Sequence, residues 1–146
     1  MATRSPIETL IELADRETDD CAKRLGAAIK HAKDNEAKLQ MLLGYRDDYA
    51  NRLQNSQVSG MNPMQYQNFQ AFLAKLDKAV AGQRDFVASA NRRVEHERSA
   101  WQAAERKRMS YNTLQKRAQE AALHRENKRD QKNMDEFATR QAFYRR

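Results

Sequence analysis

Small and apolar residues recur along the first third of the chain at alternating steps of four and three. They are Ile7, Ile11, Ala14, Thr18, Cys21, Leu25, Ala28, Ala32, Asn35, Leu39, Leu42, Arg46, Tyr49 and Leu53. A mean step of 3.5 belongs to helices that wind around a partner helix; the helix of an ordinary globular domain repeats nearer 3.6. Thr18 and Asn35 place polar groups in this seam, and Arg46 and Tyr49 place basic and aromatic groups near one end. A second repeat of the same kind reads Phe69, Leu73, Leu76, Val80, Gln83, Val87, Ala90, Val94, Glu97, Trp101, Ala104, Arg108 and Tyr111. Beyond it the phase is expected to slip, with Leu114, Ala118 and Ala121 continuing and a weaker cluster at Met134 and Phe137.

Start signals precede each repeat. Ser5 can cap a helix, Pro6 suits the first helical position and Glu8 closes a capping box. Asn62, Pro63 and Gln65 repeat the arrangement. Between the repeats lies the one polar and small cluster of the mid-chain, Asn55-Ser56-Gln57-Val58-Ser59-Gly60. Two helices joined by a short loop lie antiparallel. The expected fold is therefore all-α: a long two-helix antiparallel coiled coil, or helical hairpin, forming a single domain over residues 1–146. The expected bounds are about 6–55 for helix one, about 56–61 for the tip loop and about 62–140 for the longer helix two. At 1.5 Å per residue the helices would run about 75 and 120 Å. Folding about residue 59 would place Ile7 opposite Tyr111, leaving a C-terminal overhang beyond about residue 115 with no intramolecular partner.

Composition agrees. Four glycines and two prolines are too few for a sheet protein, which needs a turn every eight to twelve residues. A mean hydropathy of -1.02 would fit disorder, but disorder lacks such regular apolar spacing. One cysteine, Cys21, allows no intramolecular disulfide, which suits a reducing compartment. No apolar run approaches the roughly 20 residues that span a bilayer. Met1 to Pro6 is followed by no apolar segment of a secretory signal, so a cytoplasmic protein is expected. Residues 1–105 carry 15 basic and 15 acidic side chains, whereas residues 106–146 carry 12 and 5, so the entire excess of +7 is C-terminal. A localised positive end attracts an acidic partner, whether nucleic acid, anionic lipid or an acidic protein cavity.

Catalytic equipment is not in view. Gly26, Gly44, Gly60 and Gly82 are scattered singly and make no phosphate-binding loop. His31, His96 and His124 share no ligand spacing with Cys21 or with one another, so neither a metal nor a cofactor is implied. Cys21 sits on the seam as a small buried hydrophobe. Glu8, Glu12 and Asp15 share a helix flank and read as a solvated face, not as paired catalytic carboxylates. Two exposed helices offer no cleft that could desolvate a substrate, so an enzyme is not expected.

Two features exceed what a hairpin requires. Six of the eleven aromatic residues (Tyr45, Tyr49, Tyr66, Phe69, Phe72 and Phe86) fall between positions 45 and 86. Lys38, Leu42, Tyr45 and Tyr49 form a stripe on helix one, and Phe72, Leu76, Ala79 and Gln83 form one on helix two. The stripes fit either a broad seam thickened near the loop or a partner-binding face, since aromatic surface is enriched at binding hot spots. The second feature is the basic tail: Arg106-Lys107-Arg108, Lys116-Arg117, Arg125, Lys128-Arg129 and Lys132. It fits a solvated face or a docking segment.

The chain resembles the FliJ family, the small cytoplasmic component of the bacterial flagellar type III export apparatus. The resemblance covers nearly the whole chain. It rests on Leu10 to Arg16 with Glu17-Thr18-Asp19-Asp20, on Lys38-Leu39-Gln40-Met41-Leu42 followed by Tyr45 and Tyr49, and on Phe69-Gln70-Ala71-Phe72. Its most specific part is Glu126 to Phe137, which the heptad pattern does not dictate. The resemblance implies a stalk like the gamma subunit of rotary ATP synthases, with the end holding both termini entering the channel of the hexameric export ATPase FliI and promoting its assembly and activity. It also implies binding to the export gate protein FlhA and to flagellar export chaperones. The protein would then be peripheral to the inner membrane at the flagellar base, associated with the membrane only indirectly, through the gate. Carried over by position, the gate contact would be Lys38, Leu42, Tyr45, Tyr49, Phe72, Leu76, Ala79 and Gln83, with Gln83 standing in place of a histidine. The ATPase contact would be Arg106, Arg108, Lys116, Arg117, Arg125 and Lys132. Two alternatives stay open. One is a basic helical nucleic-acid-binding protein, although the tail has no groove-reading motif, carries interspersed acids, and nucleic acid is not the expected partner. The other is the stalk homologue of a virulence type III secretion system.

Overall fold

The computed structural model describes residues 4–145. Met1, Ala2 and Thr3, part of the segment read for a secretory signal, lie outside the described residues, as does Arg146, one of the C-terminal cations. Two helices account for the fold: α1 over Pro6–Ser59 and α2, the longer, over Pro63–Tyr144. No strand occurs among the described residues.

Both helix starts follow the capping signals. The Ser5 hydroxyl accepts from the Glu8 backbone N–H at 3.4 Å. At α2 the box is reciprocal: Asn62 Oδ1 accepts from the Gln65 N–H at 2.8 Å, and Gln65 Oε1 accepts from the Asn62 N–H at 3.4 Å. The connection is shorter than the composition implied. Asn55 to Ser59 remain helical, with the Ser59 hydroxyl turned back onto the Asn55 carbonyl at 3.1 Å. Polar side chains alone do not stop a helix, because they can satisfy themselves on the preceding turn. The break falls at Gly60, whose φ of 95° lies in the left-handed region that glycine enters without steric cost. The contacts Asn35 with Gln83 and Tyr49 with Phe69 are each centred on residue 59, the expected point of folding, while the longer arms of Arg108 and Lys107 reach Asp15 at 3.9 Å and Glu17 at 3.5 Å.

By packing, the described helices divide into two compact units. One is Asp19–Gln102; the other joins Met1–Thr18 to Ala103–Arg146. Side chains on paired helices meet only their near neighbours, so cohesion is local along the seam, as it is in repeat proteins.

In the Asp19–Gln102 unit, α1 and α2 run antiparallel. Arg24 pairs with Glu97, Asn35 with Gln83, Arg46 with Asp77, and the Tyr49 ring lies 5.0 Å from that of Phe69. Cys21, Ala28, Leu39, Leu53, Val80, Ala90 and Val94 are buried. Each fully buried Val or Leu contributes about 1.5–3 kcal/mol, alanine much less. A seam this rich in alanine depends on register as much as on area. Three polar residues inside it are satisfied internally. Gln83 Nε2 donates to the Asn35 carbonyl at 2.9 Å and to Asn35 Oδ1 at 3.1 Å, while Asn35 Nδ2 donates to the His31 carbonyl at 2.9 Å. Glu97, 5% exposed, lies 2.9 Å from Arg93 Nε and 3.5 Å from Arg24 Nε. A polar residue at a seam position fixes register, because any slip strands it without a partner.

In the other unit Ala14, Thr18 and Ala104 are buried, with the Thr18 hydroxyl bonded to the Ala14 carbonyl at 2.8 Å. Every position of the two repeats except Arg46 is buried or half-buried; Arg46 is exposed beside Asp77. The expected phase slip after Tyr111 does not occur. The next half-buried position is Gln115, four residues on in the same phase, while Leu114, Ala118 and Ala121 are exposed. From Lys116 to Arg145 every described residue is exposed.

Candidate functional site: two interaction surfaces

The first surface belongs to the Asp19–Gln102 unit. Tyr45 and Tyr49 are a helical turn apart on α1, and Phe72 and Leu76 a turn apart on α2, so each pair lies on one helix face. Antiparallel pairing brings the two faces together, and Tyr45, Tyr49, Phe72 and Leu76 line one groove with Asp48 and Arg52. The Tyr49 ring is tilted against both Phe69 and Phe72, its centroid 4.5 Å from that of Phe72. Tyr49 is thereby held in place, while Phe72 remains 46% and Tyr45 55% exposed. An aromatic already immobilised by a neighbour loses little entropy on binding.

The rest of the two stripes is distributed differently. Leu42 is half-buried in the seam, while Lys38 and Ala79 are exposed outside the groove. Gln83 points inward and spends its amide on Asn35, which makes it a register clamp within the coiled coil. Asp48 and Arg52 escaped the sequence reading. Each follows a stripe tyrosine by three residues, which puts it on the same helix face, but a search for apolar periodicity passes over charged flanks.

The second surface belongs to the unit that contains the termini. Arg108 is half-buried and is held by Glu105, with its Nε 3.2 Å from Glu105 Oε2, and by Asp15. Lys107 reaches Glu17. Arg106 is exposed alongside them. Lys116, Arg117, Arg125 and Lys132 lie on the wholly exposed part of α2, where no described residue forms an ion pair. The six basic positions thus divide into Arg108 on the paired seam, Arg106 exposed beside it, and four on bare helix. Met134, Phe137, Phe143 and Tyr144 add exposed apolar surface to the same stretch.

The remaining candidate groups are accounted for locally. Cys21 is buried, with Arg24 Nη2 3.1 Å from its sulfur. Glu12 pairs with Arg4 and Arg16. Among the described residues, no cluster of three or more His, Cys, Asp or Glu side chains could hold a metal ion. No described helix is long and apolar enough to cross a membrane.

Two helices and no sheet, paired through a heptad seam and exposing an aromatic groove and a basic helix, define the class: a two-helix antiparallel coiled-coil protein. The family model described as Flagellar FliJ protein matches residues 3–146. The chain is 34% identical to the flagellar FliJ protein of Escherichia coli (strain K12) over 142 residues, covering 97% of each chain. It is likewise 34% identical to that of Salmonella typhi, with the same coverage. The chain belongs to the FliJ family of flagellar protein-export components. Its fold is similar to the solved structure of a putative YscO homolog from Chlamydia trachomatis, with a TM-score of 0.70, 15% identity and 94% of each chain covered.

Proposed function

We propose that the protein couples two parts of the flagellar type III export apparatus through its two surfaces. The basic α2 stretch docks in the channel of the hexameric export ATPase FliI and promotes its assembly and activity. The groove of Tyr45, Tyr49, Phe72 and Leu76 contacts the export gate protein FlhA, and export chaperones bind the same protein. Such a protein works at the flagellar base, peripheral to the inner membrane. The observation that carries this reading is the run from Lys116 to Arg145, in which every described residue is exposed and no cation is paired. Isolated helix in water is marginal and gains its stability from packing. The exposed, basic helix from Lys116 to Tyr144 therefore fits a segment that completes its packing on an acidic partner. Contact with ATPase subunits in unequal states would bias those states by differential affinity, with no chemistry in the stalk itself.

The test is ATP hydrolysis by the purified cognate export ATPase, with and without the protein. Stimulation is expected with the full chain and is expected to be lost when residues after Ala118 are deleted. In parallel, Phe72→Ala with Leu76→Ala should weaken gate binding by about a thousandfold, two hot-spot residues at about 2 kcal/mol each, and leave stimulation intact. No stimulation under conditions where the ATPase forms hexamers would refute the stalk role. Loss of helicity in the double variant would make the groove part of the core.

A further inference from the structure

A second groove in the Asp19–Gln102 unit is absent from both surfaces above. Ala27, Ala28 and Ala90 line it together with Arg24, Arg92 and Arg93, and Phe86 stands at its edge. Phe86 is 65% exposed and lies off the heptad seam, which passes through Gln83, Val87 and Ala90. No lining residue is acidic. Glu97, buried in the seam, engages Arg24 from α1 and Arg93 from α2, so two guanidinium groups share one negative charge. Arg92 forms no ion pair among the described residues.

From this arrangement we infer that the groove is a docking site for an acidic amphipathic helix of a partner protein. Alanine side chains on two adjoining helices leave a trough shallow enough for a third helix to approach closely, and Phe86 offers apolar contact at its lip. Glu97 acts from beneath. By engaging the Nε of Arg93 and of Arg24 it fixes both guanidinium groups across the seam before any ligand arrives, and the Nη atoms of Arg93 stay available for a carboxylate. Arg92 adds an unpaired charge beside them. The excess of positive charge selects an acidic ligand. The alanine trough and Phe86 select a helix with apolar residues over a phosphate backbone, which gains nothing from an apolar floor.

The site is tested on the full chain with a fluorescein-labelled helical peptide of about three heptads, leucine at the seam spacing and glutamate on the flanks. Its glutamine counterpart serves as the neutral control. Saturable anisotropy is expected with the acidic peptide only. Phe86→Ser with Arg92→Glu should weaken it about tenfold or more, while Lys78→Glu, an equal charge change elsewhere on α2, leaves it within a factor of two. Should the double variant lose helicity, Phe86→Gln and Arg92→Gln carry the same expectation singly. The inference is overturned if the groove variants bind as tightly as the parent. It also fails if Lys116→Glu with Arg117→Glu alone removes the binding, which would place the peptide on the basic tail. Equal binding of the glutamine peptide, or displacement by duplex DNA at matched charge, overturns it as well.

Discussion

The Asp19–Gln102 stretch and the stretch from Lys116 to Arg145 are both helical, yet different physics makes them so. In the first, each seam residue faces another helix, and even its polar members, Asn35, Gln83 and Glu97, find partners inside the coiled coil. In the second, no residue is buried and helix formation rests on intrinsic propensity and backbone hydrogen bonds alone. Helix of the first kind carries its own reason to exist. The second kind packs on nothing among the described residues, which is why we propose the docking role there.

Hydrogen exchange breaks this contrast most directly. Backbone amides around Asn35 and Ala90 should exchange only on global opening, whereas those between Ala118 and Thr139 should exchange by local fraying, at least about a thousandfold faster. Equal protection of the two stretches would mean that the C-terminal helix has a partner in solution, a second copy being the first to test by sedimentation. A smaller effect sharpens the account of the seam. Asn35→Leu alone removes the side-chain acceptor of the Gln83 amide and should cost about 1–2 kcal/mol in urea unfolding. Pairing it with Gln83→Leu should recover that loss while relaxing register, seen as a broadened distance distribution between spin labels on the two helices. A double variant that keeps one register would reduce the amide pair to a simple hydrogen bond. Smallest is Gly60→Ala, expected to cost about 1 kcal/mol because alanine is strained at a φ of 95° although no atom obstructs its Cβ.

The coiled-coil seam was legible in advance because a 3.5-residue period leaves few alternatives. Ala14, Thr18, Cys21, Ala28, Asn35, Val80, Ala90, Val94 and Glu97 are all buried where the repeat put them. The helix end was not legible, because Asn55, Ser56 and Ser59 resemble a loop in composition while remaining helical in fact. Nor was the phase beyond Tyr111. Leu114 looked like the next core residue for being apolar, but geometry gives that place to Gln115. Hydrophobicity identifies a seam only where a partner helix is present to bury it. The groove was half legible: Tyr45, Tyr49, Phe72 and Leu76 converge, whereas Gln83 turns inward to an amide partner that no single-helix pattern could reveal.

The spacing of the cross-seam contacts also sets an order of assembly. Closing a loop costs more entropy as the loop lengthens, though only logarithmically, so contacts nearest the turn form at the least cost. Tyr49 on Phe69 closes first, then Arg46 on Asp77, then Asn35 on Gln83. Local closure of this kind favours fast folding. A chain emerging from the ribosome can thus zip outward from Gly60, with the amide pair serving as a proofreading step. A hairpin started one heptad out of step would set Asn35 and Gln83 opposite apolar seam residues with neither amide matched, at a cost of about 1–3 kcal/mol for each buried group left unsatisfied.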